Sequence, residues 1–388
     1  MKRLKVMTIF GTRPEAIKMA PVVLELQKHP EQIQAIVAVT AQHREMLDQV
    51  LNLFSIHPDY DLNIMSQGQT LFDITARALT GLNQVLAEAK PDIVLVHGDT
   101  TSTFVGALAA FYHKIPVGHV EAGLRTGDKY SPYPEEMNRK LAGALTDLHF
   151  APTAMARDNL LAEAVPAQRI FVTGNTVIDG LLATIKPDYV FPAGLNEVMS
   201  ELRGRRMILV TTHRRENLGE PMRHVYQALR DIISEFPDTV AVFPVHRNPQ
   251  VREVVQSELG GLERVILIDP LEYEPFANLM GIANIVLTDS GGIQEEAPSL
   301  GKPVLVLRDT TERPEALDAG TAKLIGTSRK RVYEELKLLL TDAASYSRMA
   351  EATNPYGDGQ AAVRIVDFLL HHFGLTKKTP TPFTFIQP

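Results

Sequence analysis

The sequence predicts an α/β fold built from two Rossmann-like parallel sheets, one in each of two domains. Short apolar runs alternate with helix-like segments, the runs are continuously apolar, and one break in this pattern lies near the middle of the chain. Continuous apolar runs are typical of strands covered on both faces, and their alternation with helices is typical of α/β proteins. The expected strands are Leu4–Phe10, Ile33–Thr40, Ile93–His97, Pro116–Glu121, Met207–Thr212, Val240–Pro244, Val265–Ile268, Ile285–Thr288 and Val304–Leu307.

The break in the pattern lies at Lys186–Gly194, where prolines and aromatic residues interrupt helical periodicity. A new strand–helix series begins at Met207. We therefore expect an N-terminal domain over residues 1–186 and a C-terminal domain over 187–359. The tail 374–388 lacks helical periodicity and is expected to be irregular.

Composition excludes several classes of function. The chain has no cysteine, which excludes disulfides, thiolate metal sites and cysteine nucleophiles. Its formal net charge is -7, whereas nucleic acids and anionic membranes are bound by basic faces. The first apolar run is too short for a secretory signal, and no stretch is long enough to span a bilayer. We expect a cytoplasmic protein that binds neither nucleic acid nor membrane.

The loop after the first expected strand has the features of an anion site. Gly11 permits a tight turn and Pro14 suits the first turn of a helix. A helix that begins here would direct backbone N–H groups, Arg13 and Lys18 toward one point. A capped helix with solvated cations explains the segment equally well. The glycine triplet of a dinucleotide fingerprint is absent.

A second loop, Thr288–Glu296, predicts a phosphate site more strongly. Ser290 can cap the following helix, and the paired glycines Gly291 and Gly292 allow a phosphate to approach the backbone. Glu296 follows Gly292 by one helical turn, so its carboxylate can accept hydrogen bonds from a ribose diol. The alternative is a glycine-rich turn with an acidic first turn that stabilises the helix dipole. Arg308 and Arg313 follow the next strand and can offset diphosphate charge.

Potential acid–base side chains follow several strands. Asp99 and Glu121 come after two successive expected strands, and His213 follows the first strand of the second half. Ligands bind at the carboxyl ends of strands in α/β sheets, and burial can raise one carboxyl pKa for proton transfer. Each residue also has a structural explanation, since Asp99 could cap the helix near Thr101 and His213 could be an ordinary loop histidine. Their joint position favours catalysis.

A metal site is the less favoured interpretation of the same region. His97, Asp99, His119 and Glu121 are ligand types, but their spacing matches no recognised metal pattern. We therefore expect no metal.

The sequence closely resembles the non-hydrolysing UDP-N-acetylglucosamine 2-epimerases of bacteria. The resemblance runs over most of the chain, and the motifs occur in the family's order. The matching blocks are GTRPEAIK (11–18), TAQHR (40–44), HGDT (97–100), EAGLRT (121–126), PYPEEMNR (132–139), THRREN (212–217), HRNP (246–249), TDSGGIQEEAP (288–298) and RDTTERPE (308–315).

The resemblance implies a GT-B architecture, in which two Rossmann-like domains face a cleft and a last helix, within 360–373, packs back on the N-terminal domain. It implies inversion of carbon 2 of UDP-N-acetylglucosamine to give UDP-N-acetylmannosamine, through elimination of UDP to 2-acetamidoglucal and re-addition. It further implies that no NAD or metal is required and that the product feeds cell-surface polysaccharide, and we expect a homodimer. The implied acid–base residues are Asp99, Glu121, Glu135 and His213.

The same resemblance assigns binding residues. Arg13 and Lys18 line the N-terminal wall, while Ser290, Gly291 and Gly292 bind the diphosphate. Glu296 binds ribose and Arg313 lies near the phosphates. The uracil is held by the Phe276 ring and the backbone at Leu271.

Many bacterial members also bind UDP-N-acetylglucosamine as an activator at a second site. The residues that match this site are Gln42, His43, Arg44, Glu135 and His246. The chain departs from some activator-dependent members, which have glutamine at the position of Glu45 and arginine at that of Gly68.

Three other functions compete with this one. A hydrolysing 2-epimerase would release UDP and free N-acetylmannosamine, and a retaining GT-B glycosyltransferase would share the second phosphate loop but need an acceptor. A nucleotide-sugar sensor would need no acid–base groups, which the chain has in Asp99, Glu121 and His213.

Overall fold

The structure is a computed structural model that describes residues 3–42, 44–66, 68–192, 194–196, 199 and 204–385. The chain divides into two compact units. The first unit contains Met1–Ala183 and Tyr356–Thr384, and the second contains Thr184–Pro355 and Phe385–Pro388. The division lies slightly before the expected boundary at residue 186, and the chain rejoins the first unit slightly before residue 360.

The first unit has a seven-stranded sheet in the order β3-β2-β1-β4-β5-β6-β7. Its pairings are parallel. The strand order reverses direction between β1 and β4, and open α/β sheets bind ligands at the carboxyl ends beside such a reversal. The strands are β1 Leu4–Phe10, β2 Ile33–Val39, β3 Tyr60–Asp61, β4 Ile93–His97, β5 Val117–Val120, β6 Leu148–Ala151 and β7 Ile170–Val172.

The second unit has a six-stranded sheet in the order β10-β9-β8-β11-β12-β13. It is also parallel, and its order reverses between β8 and β11. Loops that follow these two strands therefore meet at one edge of the sheet. The strands are β8 Arg206–Thr211, β9 Thr239–Pro244, β10 Val265–Ile268, β11 Ile285–Thr288, β12 Val304–Val306 and β13 Ala322–Leu324.

Helices cross over between the strands and cover the two sheets. Short 3₁₀ segments occupy Ala167–Arg169, Arg215–Asn217 and Ala297–Leu300. The α-helices are α1 Arg13–Gln27, α2 Arg44–Leu53, α3 Leu71–Ala89, α4 Thr101–Tyr112, α5 Glu135–Leu145, α6 Ala154–Ala162, α7 Thr176–Thr184, α8 Glu220–Glu235, α9 Pro249–Leu259, α10 Tyr273–Ile282, α11 Ile293–Glu296, α12 Pro314–Asp318, α13 Arg329–Thr341, α14 Ala343–Ala350 and α15 Ala361–His372. Within the described ranges, no helix has the length and apolar character needed to cross a lipid bilayer.

Each of the nine predicted strands is present, with ends shifted by a residue in several cases. Strand β4, for example, is buried along its whole length, as continuous apolar character predicts. Four strands were not predicted, namely β3, β6, β7 and β13. They span two to four residues and lie in the outer parts of their sheets, and in three of them a polar residue, Asp61, His149 or Lys323, interrupts the apolar run.

The last helix, α15, belongs to the first unit and packs on α1. The buried carboxylate of Asp179, on α7, accepts hydrogen bonds from the backbone N–H groups of Ala361 and Ala362, at 3.2 and 2.8 Å. It thereby satisfies two amides at the first turn of α15 and complements the helix dipole. Phe368 of α15 also packs edge-on against Phe150 of β6, with ring centroids 5.6 Å apart.

Candidate active site

Strand ends in the first unit bring two predicted catalytic carboxylates to one edge of the sheet. Strands β4 and β5 are paired so that His97 lies opposite Val120. Asp99 and Glu121 follow these strands directly. Glu121 has φ +64°, a left-handed conformation that is costly for a residue with a side chain and that often occurs at functional sites.

The Glu121 carboxylate is buried and held by groups from three elements. Its Oε2 atom forms an ion pair with Lys18 Nζ from α1. The same atom accepts a hydrogen bond from Asn175 Nδ2 at 2.9 Å and lies 3.8 Å from His97 Nε2. The structure therefore brings two predicted site residues, Lys18 and Glu121, into direct contact. Asn175 and His97 complete this pocket, although the sequence alone assigned neither to catalysis.

His97 and His119 are neutral components of this region. Burial lowers the pKa of His97 to about 3 and that of His119 to about 4. His119 Nε2 lies 2.7 Å from the Gly98 carbonyl oxygen, so this nitrogen carries the proton and donates. Among the described residues, no group of three or more histidine, aspartate or glutamate side chains is arranged to hold a metal ion.

Asp99 is held by the start of α5. Its Oδ2 atom lies 2.5 Å from Arg139 Nη2, and its carbonyl accepts a hydrogen bond from Asn138 Nδ2 at 2.9 Å. Arg139 also contacts the buried Glu136 at 3.2 Å. Thr100, rather than Asp99, caps α4, which corrects the structural alternative for Asp99. Glu135 is the first residue of α5 and is half-buried.

The predicted anion site at the start of α1 is largely satisfied by the chain itself. Glu15 Oε2 accepts hydrogen bonds from the backbone N–H groups of Gly11 and Thr12, at 3.0 and 2.8 Å. These amides are therefore not available to an anion, which corrects the prediction made from the sequence. Burial raises the pKa of Glu15. Arg13 is half-buried at the first position of the helix.

Gly11 serves close packing rather than a tight turn. A Cβ atom at this position would lie 1.8 Å from Thr40 Oγ1 and 2.7 Å from Ser102 Oγ. Its φ lies outside the left-handed range, unlike that of Gly98 at +69°. Only glycine, which has no Cβ atom, therefore fits at position 11, directly after β1 and beside these two hydroxyl groups.

Two of the residues predicted for a second site follow β2: Gln42 lies between β2 and α2, and Arg44 is the first residue of α2. Ser102 Oγ donates to Gln42 Oε1 at 3.3 Å. Arg44 pairs with Asp48 at 2.9 Å and also with Asp61. His43 lies outside the described residues.

In the second unit, the loops after β8 and β11 are joined by one carboxylate. Asp289 is fully buried, and its Oδ2 atom accepts hydrogen bonds from the backbone N–H groups of His213 and Arg214, each at 2.9 Å. Its Oδ1 atom lies 3.2 Å from His213 Nδ1. Burial by itself raises the pKa of Asp289, but the His213 side chain and these N–H groups outweigh it and hold the pKa below its ordinary value. Asp289 was not predicted as a site residue.

His213 and His246 lie together in this unit. Their rings are stacked, with centroids 5.7 Å apart and planes inclined by 21°. His246 was assigned from the sequence to the second site and His213 to the acid–base set. The structure brings these two predicted residues into contact.

The glycine loop after β11 is open to a ligand. A Cβ atom on Gly291 would lie 3.9 Å from Arg214 Nη2, and one on Gly292 would lie 3.9 Å from Glu296 Oε1. A cation therefore lies near Gly291, and the predicted ribose ligand lies near Gly292. Ser290 does not cap α11, which corrects the prediction. The N-cap residue is Gly292, while the Ser290 N–H donates to Thr288 Oγ1 at 3.0 Å.

The cations near this loop are partly neutralised by the chain. Arg313 pairs with the buried Glu295, and Arg308 pairs with Glu216 and Glu312, each at 3.0 Å. Arg214 is a further cation that the sequence did not single out. Its Nε is buried and makes no hydrogen bond among the described residues. The signal that could have identified Arg214 is its position directly after His213.

The predicted uracil segment, Leu271–Phe276, leads into α10. Leu271 and Phe276 are both half-buried, and the Phe276 N–H donates to the Glu272 carbonyl at 3.1 Å within the first turn. The Phe276 side chain is thus partly accessible, and its role in holding uracil stays a prediction.

Two Rossmann-like units, one with paired carboxylates at strand ends and one with a glycine loop beside a histidine, define an α/β protein of the GT-B type. The family model for UDP-N-acetylglucosamine 2-epimerase matches residues 24–370. The UDP-N-acetylglucosamine 2-epimerase of Bacillus subtilis (strain 168) is 60% identical over 384 residues, which cover 99% of this chain and 100% of the relative. The chain belongs to the UDP-N-acetylglucosamine 2-epimerase family.

Solved structures agree with this assignment. A crystal structure from Listeria monocytogenes has a TM-score of 0.94 at 53% identity, and the match covers 99% of this chain and 100% of that one. The UDP-GlcNAc 2-epimerase of Neisseria meningitidis, bound to UDP-GlcNAc, has a TM-score of 0.82 at 52% identity. That match covers 95% of this chain and 100% of that one.

Proposed function

We propose that this chain interconverts UDP-N-acetylglucosamine and UDP-N-acetylmannosamine without net hydrolysis. The observation that carries the proposal is the pair of carboxylates Asp99 and Glu121 at adjacent strand ends. One is held by Arg139 and the other by Lys18. Family membership and the substrate bound to the Neisseria meningitidis relative support the choice of substrate.

The chemistry explains why such groups are needed. The hydrogen on carbon 2 is not next to a carbonyl, so a simple deprotonation is unfavourable. In the proposed reaction a base removes this proton, the electron pair forms the carbon 1–carbon 2 double bond, and UDP leaves carbon 1 with the electrons of the broken C–O bond. Re-addition of UDP with protonation of the other face inverts carbon 2. Because the proposed elimination and re-addition transfer protons and UDP but no hydride, we propose that the reaction needs neither NAD nor a metal.

The proposed roles are assigned to each of the two units in turn. In the first unit, Asp99, Glu121 and Glu135 exchange protons, while Lys18 and Arg13 line the sugar side. In the second unit, His213 completes the acid–base set or offsets charge on departing UDP. The proposed nucleotide ligands are Ser290, Gly291 and Gly292 for the diphosphate, Glu296 for the ribose, Leu271 and Phe276 for the uracil, and Arg313 near the phosphates.

Incubation of UDP-N-acetylglucosamine with the enzyme in heavy water tests the proposal. Proton NMR should show deuterium entering carbon 2 of both epimers, with UDP-N-acetylmannosamine as product and chelator and NAD having no effect. Accumulation of free N-acetylmannosamine and UDP would instead identify a hydrolysing 2-epimerase. Turnover only with an added acceptor would identify a glycosyltransferase.

Activation by a second substrate molecule remains a proposal for Gln42, His43, Arg44, Glu135 and His246. Rates that rise sigmoidally with UDP-N-acetylglucosamine would support it, and hyperbolic rates would favour loss of allostery through Glu45 and Gly68.

We also propose a homodimer that acts in the cytoplasm and supplies activated sugar for cell-surface polysaccharide. The exposed rings of Phe111 and Tyr112, at the end of α4, support a protein interface because adjacent exposed aromatic side chains are common at such surfaces. Light scattering coupled to size-exclusion chromatography should give twice the mass of the 42.9 kDa chain. The mass of one chain would reject the dimer.

A further inference from the structure

The two carboxylate oxygens of Asp289 have separate partners. Oδ2 accepts hydrogen bonds from the backbone N–H groups of His213 and Arg214 and lies 3.3 Å from Asn217 Nδ2. Oδ1 is buried and lies 3.2 Å from His213 Nδ1, with no hydrogen-bond partner among the described residues. One oxygen therefore fixes the loop, and the other faces the ring.

The sheet fixes this arrangement. Strands β8 and β11 are paired so that Thr211 lies opposite Thr288. The Asp289 N–H donates to the Thr211 carbonyl at 3.1 Å, and the hydroxyl groups of Thr211 and Thr288 are 2.6 Å apart. Asp289 directly follows β11, and these contacts fix its backbone beside His213.

A buried carboxylate oxygen without a donor is costly, and His213 Nδ1 is the donor within reach. The 3.2 Å contact is not aligned as a strong hydrogen bond, so a small rotation of the ring would direct an Nδ1–H group at Oδ1. Side-chain exposure of His213 is 42%, whereas that of Asp289 is 0%. The ring is therefore anchored at one edge and accessible elsewhere.

We infer that Asp289 is a positioning residue for His213: its carboxylate holds the ring proton on Nδ1 and leaves Nε2, which carries no proton, as the atom that exchanges protons during turnover. The inference rests on the proposed function only for the part that His213 plays in turnover. A carboxylate at one ring nitrogen fixes the tautomer and stabilises the imidazolium that forms when the other nitrogen takes a proton. If Asp289 only anchored the loop through Oδ2, it would neither fix the tautomer of His213 nor stabilise its imidazolium.

The substitution Asp289→Asn separates the two roles. The amide oxygen can replace Oδ2 and still accept the two backbone N–H groups, which preserves the loop. The amide NH₂ group would then replace Oδ1 and donate to Nδ1, which forces the proton onto Nε2. We expect kcat to fall about 10²–10⁴-fold, the range for loss of a proton-transfer group, with UDP affinity changed less than about threefold.

Nitrogen-15 NMR of labelled histidine in the intact protein reads the tautomer directly. His213 is assigned by its loss in His213→Asn, and the spectra are compared at a pH at which the ring is neutral. Its Nδ1 should then be protonated and its Nε2 unprotonated in the wild type, and the reverse should hold in Asp289→Asn. Thr212→Val is a matched control. Thr212 lies on the same loop as His213, and the substitution removes its buried 2.7 Å hydrogen bond to Tyr226 of α8 without altering Asp289. It should keep the wild-type tautomer and kcat.

A wild-type ring protonated on Nε2 alone would overturn the inference, even if Asp289→Asn failed to fold. A folded Asp289→Asn protein with unchanged tautomer and kcat would also overturn it. The tautomer is measured without substrate, so this test of the inference does not depend on the epimerase reaction. If the wild type lacked turnover in heavy water but showed the expected tautomer, the proposed function would fail and the positioning role would remain.

Discussion

Lys18 Nζ and Glu121 Oε2 form an ion pair across the carboxyl edge of the first sheet, although their positions in the sequence differ by 103 residues. Side-chain exposure is 18% for the lysine and 7% for the glutamate. The pair is therefore shielded from water on most sides. The carboxylate that we propose exchanges a proton with substrate is thereby kept in a fixed position and beside a positive charge.

Replacement of Glu121 by glutamine should lower kcat about 10²–10⁴-fold, since it deletes proton capacity while keeping the shape of the side chain. UDP affinity, measured by calorimetry, should remain within about threefold because UDP is held by the second unit in our proposal. Glu25→Gln is the matched control, as Glu25 also pairs with a lysine, Lys28, near the end of α1. A normal kcat with a raised KM in Glu121→Gln would instead identify Glu121 as a sugar-hydroxyl ligand.

Asp99→Asn should lower kcat over a similar range of about 10²–10⁴-fold. The amide can still contact Arg139, so the protein should fold and its thermal midpoint should change little. Glu163→Gln provides the comparison, because Glu163 accepts a two-pronged contact from Arg125 at 2.7–2.8 Å in the same unit. Loss of activity in both variants to the same extent would show that an arginine pair, rather than proton transfer, accounts for the effect.

Gly292→Ala should separate nucleotide affinity from stability. A Cβ atom there would have its nearest neighbour at 3.9 Å, so the fold should tolerate it, and lower chain entropy could raise the unfolding free energy by about 0.4–1 kcal/mol. The methyl group would nevertheless obstruct a phosphate that approaches the backbone. We expect weaker UDP binding by calorimetry with an undiminished thermal midpoint. Gly11→Ala should do the opposite and destabilise the first unit, because of the 1.8 Å approach to Thr40.

Unchanged UDP affinity in Gly292→Ala would remove this loop from the nucleotide site. Glu296→Ala gives an independent measurement on the same loop. It should weaken UDP binding by about 1–3 kcal/mol, the range for hydrogen-bonded partners left unpaired. Glu334→Ala, an exposed change on α13, should have no effect on UDP binding.

His149 should make the first unit sensitive to acid. Burial lowers its pKa from 6.5 to about 3, so the unfolded chain binds a proton between these values that the folded chain does not. Its contribution to stability is therefore constant above pH 6.5 and is lost as the pH falls from 6.5 toward 3. Each such proton changes the unfolding free energy by up to about 1.4 kcal/mol per pH unit.

His149→Asn should reduce the slope of unfolding free energy against pH by up to that amount of about 1.4 kcal/mol per unit between pH 6 and 4, measured by urea denaturation. Phe150→Leu, a buried change on the same strand, controls for a general loss of stability and should leave the slope unaltered. An identical slope in the wild type and His149→Asn would contradict the prediction.

The sequence predicted the central architecture because long apolar strands leave a clear pattern, as β1 and β4 show. It predicted the glycine loop from residues that are adjacent in the chain. It could not predict how Glu15 turns back to satisfy the amides of Gly11 and Thr12, since the same segment is compatible with an open anion site. Contacts between distant residues, such as Lys18 with Glu121 or Asp289 with His213, depend on strand pairing, which periodicity does not reveal.

The two hydrogen bonds between Asp179 and the first turn of α15 have a consequence for folding during translation. A ribosome completes all of the first sheet before it has synthesised Ala361, so the partner of Asp179 is missing while the whole second unit is being translated. Until α15 emerges, the surface of α1 that this helix covers is exposed to solvent, and exposed hydrophobic surface in an incomplete chain promotes aggregation. The first unit begins the chain, but its fold can be completed only after the second unit has been translated.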